Sequence, residues 1–206
     1  MSLYPDQILA AEKCEDWLNN TNTTCAGLWA SAGFGKSYTA KHLIEEVIIK
    51  NTNYVPVLAS MTHSAVGVLA KFTGLEVRTL HSIMGWIPQV DKETGEEYLS
   101  TPRMRDKTAE SVLAPNIVLL VDEAGMLGHT EDKILMAEAK EVGARILKIG
   151  DNKQCFPVFK EDERECVPAY DSTELHLTLT QPKRVDETDM IYKMSTVTRQ
   201  WVEGGR

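Results

Sequence analysis

The sequence has no long apolar stretch. Its longest uninterrupted aliphatic run, Ile117 to Val121, is five residues, against the roughly 20 that a helix needs to cross a bilayer. A membrane-spanning helix is therefore not expected, and neither is a membrane partner. The opening residues, Met-Ser-Leu-Tyr-Pro-Asp-Gln, have no basic segment leading into an apolar one, so no signal peptide is expected. Positive charge is in deficit. Lys and Arg number 22 against 30 Asp and Glu, a formal net charge of −8. A generally basic coat for nucleic acid is absent, although a local basic groove is compatible with that sum. Cysteine is scarce: Cys14, Cys25, Cys155 and Cys166 are scattered, with no closely spaced pair. That spacing argues against zinc and for reduced core thiols in a cytoplasmic protein. No internal repeat or low-complexity segment stands out.

What is present suits one globular domain, or one domain with an insertion. The chain has 206 residues, of which 43% are hydrophobic and 25% charged, enough to bury a sizeable core. Short apolar runs alternate with helical periodicity, which predicts an α/β fold with a largely parallel sheet. An opening helix is expected from about Asp6 to Leu18, with Ile8, Ala11, Cys14 and Leu18 on one face. Thr24–Trp29 reads as a buried strand. A glycine-rich turn follows, and Ala40, Leu43, Ile44, Val47 and Ile48 then form a helical stripe. Tyr54–Ser60 is the next expected strand and His63–Phe72 a crossover helix. Ile117–Val121 is apolar on both faces, as a central parallel strand should be. Thr130 is the expected N-cap of a helix reaching about Val142, with Glu131 and Asp132 in its first turn. Arg145–Ile149 and Leu175–Leu179 complete the expected strands.

Residues 86–115 differ in character. They are polar, carry Pro88, Pro102 and Pro115, and include Glu93-Thr94-Gly95-Glu96. A small β-hairpin insertion turning near Thr94–Gly95 is expected, with a disordered loop as the alternative.

Two motifs carry chemistry. Ala30-Ser-Ala-Gly-Phe-Gly-Lys-Ser37 lies between an expected strand and an expected helix. It fits the phosphate-binding G-x-x-x-x-G-K-[ST] pattern, except that Ala30 replaces the first glycine. Small residues there let backbone N–H groups of Ala32, Gly33, Phe34, Gly35, Lys36, Ser37 and Tyr38 wrap phosphates at a helix N-terminus. Lys36 would neutralise the β- and γ-phosphates of ATP, and the Ser37 hydroxyl would bind Mg2+. The bland alternative is a glycine-rich turn with a solvated lysine. Asp122 and Glu123 end the second apolar strand, where an open parallel sheet places its ligands. Asp122 would hold Mg2+, directly or through water. Glu123 would orient and deprotonate an attacking water. Alone, the pair could be surface acids; after a phosphate loop, the two motifs complete each other. In Gly150-Asp-Asn-Lys-Gln154, Gln154 could contact the γ-phosphate, although an ordinary strand-end turn fits these residues equally well.

Taken together and in order, these residues resemble the N-terminal RecA-like domain of a superfamily 1B DNA helicase, of the RecD and phage Dda type. The similarity runs along nearly the whole chain. Gln7 stands where the family reads adenine. Ala30–Ser37 matches its first motif. Ser60-Met-Thr-His-Ser-Ala65 resembles the next, with Met61 in place of proline. Thr79-Leu-His-Ser82 matches a T-[IL]-H-S element. Asp122-Glu-Ala-Gly-Met126 resembles D-E-x-S-M, with Gly125 in place of serine. Gly150–Gln154 and Leu179-Thr-Gln-Pro-Lys-Arg184 follow in turn.

The resemblance implies a P-loop NTPase fold of the RecA-like kind and an ATPase that drives 5′-to-3′ movement on single-stranded DNA and unwinds a duplex fork. It implies that Arg184 approaches the γ-phosphate. It places Thr62, His63, Thr79 and His81 along the DNA path and gives Trp86 a stacking role. The residue-level alternatives are a capping role for His63, a core role for His81 and core packing for Trp86. It also casts residues 86–115 as the pin hairpin (1B) inserted between 1–85 and 116–206 of the motor domain (1A). The family uses two RecA-like domains, and no second set of motifs is present. Full activity is then expected to need a second domain, conceivably on a second polypeptide. A bacterial or phage-infected cytosol, and replication or recombination, follow as settings. Two readings of other classes remain open: a nucleotide- or DNA-binding module without turnover, and a P-loop kinase.

Overall fold

The computed structural model describes residues 3–108, 110–151 and 169–182. Six strands form one sheet in the order β3-β2-β6-β7-β1-β8, and every neighbouring pair is parallel. The strands are β1 (Cys25–Trp29), β2 (Val55–Ser60), β3 (Val77–Thr79), β6 (Ile117–Asp122), β7 (Arg145–Gly150) and β8 (Leu175–Thr178). The central strands β1 and β7 are buried along their whole length. Parallel strands covered on both faces are mostly apolar on both, as the runs at 25–29 and 117–121 are; β7 also buries Arg145 and Lys148, each of which finds polar partners.

Alternate residues of each strand feed two separate cores. On one face Ala26, Leu28, Val118, Leu120, Leu147 and Ile149 pack against α1 (Pro5–Asn20) and the helix after β1. On the other face Cys25, Trp29, Leu119, Val121 and Ile146 meet α5 (Leu80–Met84) and α7 (His129–Val142). Each fully buried Leu or Ile contributes roughly 1.5–3 kcal/mol through removal of its surface from water. Cys14 and Cys25 are free and buried, and burial pushes both thiols up to about 12. They are inert core groups, as expected; Cys155 and Cys166 lie outside the described residues. Among the described residues, no helix is long and apolar enough to cross a membrane.

Some local expectations are corrected. The buried face of α1 is Gln7, Ala10, Ala11, Cys14, Trp17 and Leu18, whereas Ile8 is exposed. Trp17 rotates the buried face away from Ile8, inserting fully and donating from Nε1 to the Thr23 carbonyl at 2.7 Å. The helix after β1 opens as α2 (Lys36–His42), passes through a π-helical stretch Leu43–Ile48 and closes as α3 (Ile49–Asn51). The wider turn still buries the expected stripe of Ala40, Leu43, Ile44, Val47 and Ile48. Gly128, not Thr130, is the N-cap of α7, because the Glu131 carboxylate reaches back to accept the Gly128 N–H at 3.0 Å. The crossover helix α4 is His63–Thr73.

The expected hairpin is present as β4 (Ile87–Val90) and β5 (Glu97–Ser100), an antiparallel pair turning through Gly95. A short helix, α6 (Pro102–Arg105), follows it. The core claims both ends of the 86–115 segment, however: Trp86 and Leu113 are buried in the α5–α7 cluster.

Candidate functional site

Each expected motif begins at the carboxyl end of a strand, so the sheet gathers them along one edge. Trp29 of β1 pairs in register with Gly150 of β7, and Ser60 of β2 pairs with Asp122 of β6 and Thr79 of β3. This is the edge where parallel α/β sheets place ligands.

The phosphate loop leaves β1 strapped to its neighbour, with the Ala30 N–H donating to the Gly150 carbonyl at 3.1 Å. Gly33 and Gly35 both take φ of +84°, a left-handed conformation that a Cβ would penalise. Gly35 is the N-cap of α2, so the first free N–H groups of the helix point into the loop. Phe34 packs its ring on the α1-side core, and Tyr38 is half-buried at the first turn of α2. Ser37 is exposed at the helix start. Lys36 bends over the loop and donates to the Ala30 carbonyl at 2.8 Å and the Ser31 carbonyl at 3.2 Å. It is a lysine held over a cradle of N–H groups, not a solvated one.

Asp122 and Glu123 stand at the end of β6. Asp122 is largely removed from water, and burial raises its carboxyl to about 6. Repulsion from Glu123 adds to the rise, while the Glu123 backbone N–H and the Lys36 charge oppose it. Those opposing charges make one electrostatic unit of the loop lysine and the strand-end acids. Glu123 is exposed, and its φ of +55° is the only positive value among the described non-glycine residues. Such a conformation costs on the order of 1 kcal/mol or more and persists where surroundings impose it, often at functional sites. Here a 3₁₀ turn, Ala124–Met126, imposes it. Gly150 permits the approach of that turn: a Cβ there would lie 2.8 Å from the Trp29 ring and 3.1 Å from the Gly125 nitrogen.

The donor set suits Mg2+. It is oxygen only: the Asp122 carboxylate, the Ser37 hydroxyl, and the buried, unpaired hydroxyl of Ser60, the register partner of Asp122. Among the described residues no group of three or more His, Cys, Asp or Glu could hold a metal unaided.

Three positions were missed by sequence reasoning. Asp151, nearly buried, accepts the Ala32 N–H at 3.2 Å and so fixes the loop from β7. Its place one residue beyond a strand end, beside the expected Gln154, was the available signal. Thr39 links α2 to α1, and Asp6 accepts the Thr180 and Gln181 N–H groups at 2.9 and 3.0 Å, tying α1 to the segment after β8. Nothing local marks these two.

Gln7 differs from expectation. It is 1% exposed, its Oε1 accepts the Tyr4 N–H at 3.0 Å and its Nε2 donates to Thr39 Oγ1 at 2.9 Å. Thr39 Oγ1 in turn donates to the Gly35 carbonyl at 3.1 Å. The amide is spent on joining α1 to the phosphate loop, so contact with adenine would require exchanging one of these bonds or using the remaining N–H.

The expected DNA residues divide into two groups. Thr62 and Thr79 cap α4 and α5, accepting the Ala65 and Ser82 N–H groups, and His63 is exposed at the start of α4. These three line the sheet edge. Trp86 is corrected: it is 4% exposed and packed in the core, its ring 5.8 Å from His81 and nearly perpendicular to it, so it offers no stacking face. Its aromatic bulk fills the gap between α5 and α7, which outweighs any gain from exposure. His81 is half-buried, and its Nε2 lies 2.9 Å from Glu131 Oε1. That hydrogen bond raises its pKa above the usual value, against a smaller lowering by burial. Gln154 and Arg184 lie outside the described residues.

The ATP-dependent DNA helicase dda of Enterobacteria phage T4 is 34% identical over 127 residues, covering 62% of this chain and 27% of that protein. The Pif1 helicase of Candida albicans superposes with a TM-score of 0.67 at 20% identity, over 97% of this chain and 44% of that one. A Bacteroides Pif1 helicase in complex with ADP-AlF3 and ssDNA superposes with a TM-score of 0.61 at 20% identity, over 98% and 47%. The two structures share the fold, and the chain spans less than half the length of each of the three. A family model described as an AAA domain matches residues 16–160. That match takes in well over half of the sequence, and the chain belongs to this family of AAA domains.

Proposed function

We propose that this chain is the ATP-binding and ATP-hydrolysing domain of a DNA helicase. The observation that carries the reading is the meeting of Lys36, Asp122 and Glu123 at one sheet edge, where the loop lysine and Glu123 both act on the Asp122 carboxyl. In the proposed reaction the loop N–H groups from Ala32 to Tyr38 wrap the phosphates, those of Ala32 and Phe34 after leaving the Asp151 carboxylate and the Ser31 carbonyl, and Lys36 exchanges the Ala30 and Ser31 carbonyls for the β- and γ-phosphates. Ser37 and Asp122 hold Mg2+, which supplies charge neutralisation on the phosphates when bound. Glu123, exposed and fixed by its strained backbone, orients the attacking water and takes its proton. Gln154 and Arg184 are assigned to the γ-phosphate by resemblance alone.

The finer reading is 5′-to-3′ translocation on single-stranded DNA and opening of a duplex fork. Thr62, His63 and Thr79 contact the strand, 86–115 serves as the pin (1B), and 1–85 with 116–206 forms the motor domain (1A). A second RecA-like domain, in the same or another polypeptide, closes the cleft. The similarity to the phage dda helicase supports the DNA substrate and fits a host-cell cytosol. With a net charge of −8, binding must rely on hydroxyls, imidazole and a local groove more than on bulk attraction.

The test is ATP hydrolysis with and without oligothymidine, using Lys36→Ala and Glu123→Gln. The expected result is DNA stimulation in the parent and its loss in both variants, with Glu123→Gln still binding nucleotide. Binding without turnover in the parent would favour a non-catalytic module. Phosphate transfer to an acceptor, indifferent to DNA, would favour a kinase.

A further inference from the structure

One carboxylate joins the hydrolytic turn to the root of the hairpin. Glu131 sits in the first turn of α7, half-buried. Its Oε2 accepts the Gly128 N–H at 3.0 Å, at the end of the turn that begins with Glu123. Its Oε1 lies 2.9 Å from Nε2 of His81 on α5. The same carboxylate thus closes the catalytic turn and grips a helix that begins after β3, two strands along the sheet from β6. From His81 the contact continues. The Trp86 N–H donates to the His81 carbonyl at 2.9 Å, and the two rings pack edge to face. Trp86 leads directly into β4. Arg105 then clasps both legs of the hairpin, donating to the Gly85 carbonyl at 2.6 Å and to the Ser100 carbonyl at 2.8 Å. Capping alone would need one oxygen of Glu131. The second oxygen, spent on an imidazole 50 positions earlier in the chain, is unexplained by helix formation.

We propose that Glu131 is a positioning residue that couples the state of the catalytic turn to the hairpin through His81. The inference rests on the helicase reading above. A shift of the Glu123–Gly128 turn as nucleotide binds or is hydrolysed moves the Glu131 carboxylate, and the charge-assisted bond carries that shift to His81 and the base of β4. Neither residue need touch ATP for this role.

The experiment uses the chain assembled with its second RecA-like domain, as the helicase reading requires, carrying Glu131→Gln, His81→Gln or both. Glutamine at 131 keeps an oxygen for the Gly128 N–H, so the helix cap survives while the charged bond is weakened. Base pairs opened per ATP consumed on a forked duplex should fall by about fivefold in each single variant. KM for ATP should stay within about twofold of the parent in every variant, and Kd for oligothymidine within about twofold in Glu131→Gln, whose side chain has no assigned DNA contact. The double variant should be no worse than either single one, because both remove the same link. Parental coupling in Glu131→Gln overturns the proposal. So does an additive double variant, or a loss that appears equally in KM and thermal stability, which would mean a cap and nothing more. If the parent itself neither opens forks nor is stimulated by DNA, the helicase reading fails, and the coupling falls with it.

Discussion

Lys148 offers the sharpest energetic test of this fold. It lies mid-strand in β7 with no exposed surface, and its Nζ is 2.6 Å from Asp132 Oδ1 on α7. It also donates to Ser172 Oγ at 2.7 Å and to the Ala169 carbonyl at 3.2 Å, while Ser172 donates to Asp132 Oδ2 at 2.5 Å. The ammonium therefore donates two hydrogen bonds and pairs in charge with Asp132 Oδ1, while Asp132 Oδ2 accepts from Ser172. Lys148→Met removes the cation and strands the carboxylate. Breaking a buried pair in this way costs about 3–5 kcal/mol. Asp132 keeps its Ser172 bond and borders an open cavity of about 410 Å³, so water can partly compensate and a value near 3 kcal/mol is expected. That is a large share of a typical domain stability of about 5–15 kcal/mol. Replacing both partners, Lys148→Met with Asp132→Leu, should recover most of the loss, because two desolvation costs vanish with one attraction. Urea unfolding at neutral pH, with unchanged slope, measures all four corners of the cycle. A single-variant loss below about 1 kcal/mol, or additive variants, would refute the claim that charge pairing, not side-chain volume, ties α7 to β7.

Other outcomes follow from the site itself. Asp122 has a folded pKa of about 6 against an ordinary 3.8. The fold therefore holds the proton longer than the unfolded chain does, and stability falls as pH rises from about 4 to about 6. In chelator, Asp122→Asn should stabilise the protein by roughly 2–3 kcal/mol at pH 7.5 and little at pH 4. Thermal melts at the two pH values decide it, and an equal gain at both contradicts the burial argument. Glu123→Gly should abolish hydrolysis yet raise stability by up to about 1 kcal/mol, through relief of the left-handed strain less the added freedom of glycine when unfolded. Chemical denaturation showing a clear loss would contradict it. Gly150→Ala should cost roughly 1–3 kcal/mol and lower kcat more than KM, because the new methyl pushes Trp29 or the Gly125 turn away. Steady-state kinetics alongside unfolding would test both halves.

The chemistry of this protein is written in contiguous residues. A phosphate cradle needs consecutive small residues, a lysine and a hydroxyl, so Ala30–Ser37 is legible without a partner. Buried parallel strands favour apolar residues on both faces, so 117–121 could be recognised alone, and with it the strand-end position of Asp122 and Glu123. Hairpin β4–β5 was legible from Thr94–Gly95, because turn preference is local. What the tertiary structure decided are contacts between residues far apart in the sequence. Periodicity placed Ile8 on the apolar face of α1; packing of Trp17 rotates the buried face and exposes Ile8. An exposed and a buried tryptophan look alike in sequence, and the gap between α5 and α7 buries Trp86. The same holds for Gln7 with Thr39, Lys148 with Asp132, and Glu131 with His81. Each side chain has polar groups to satisfy, and the strand order β3-β2-β6-β7-β1-β8 determines which partners come within hydrogen-bonding reach.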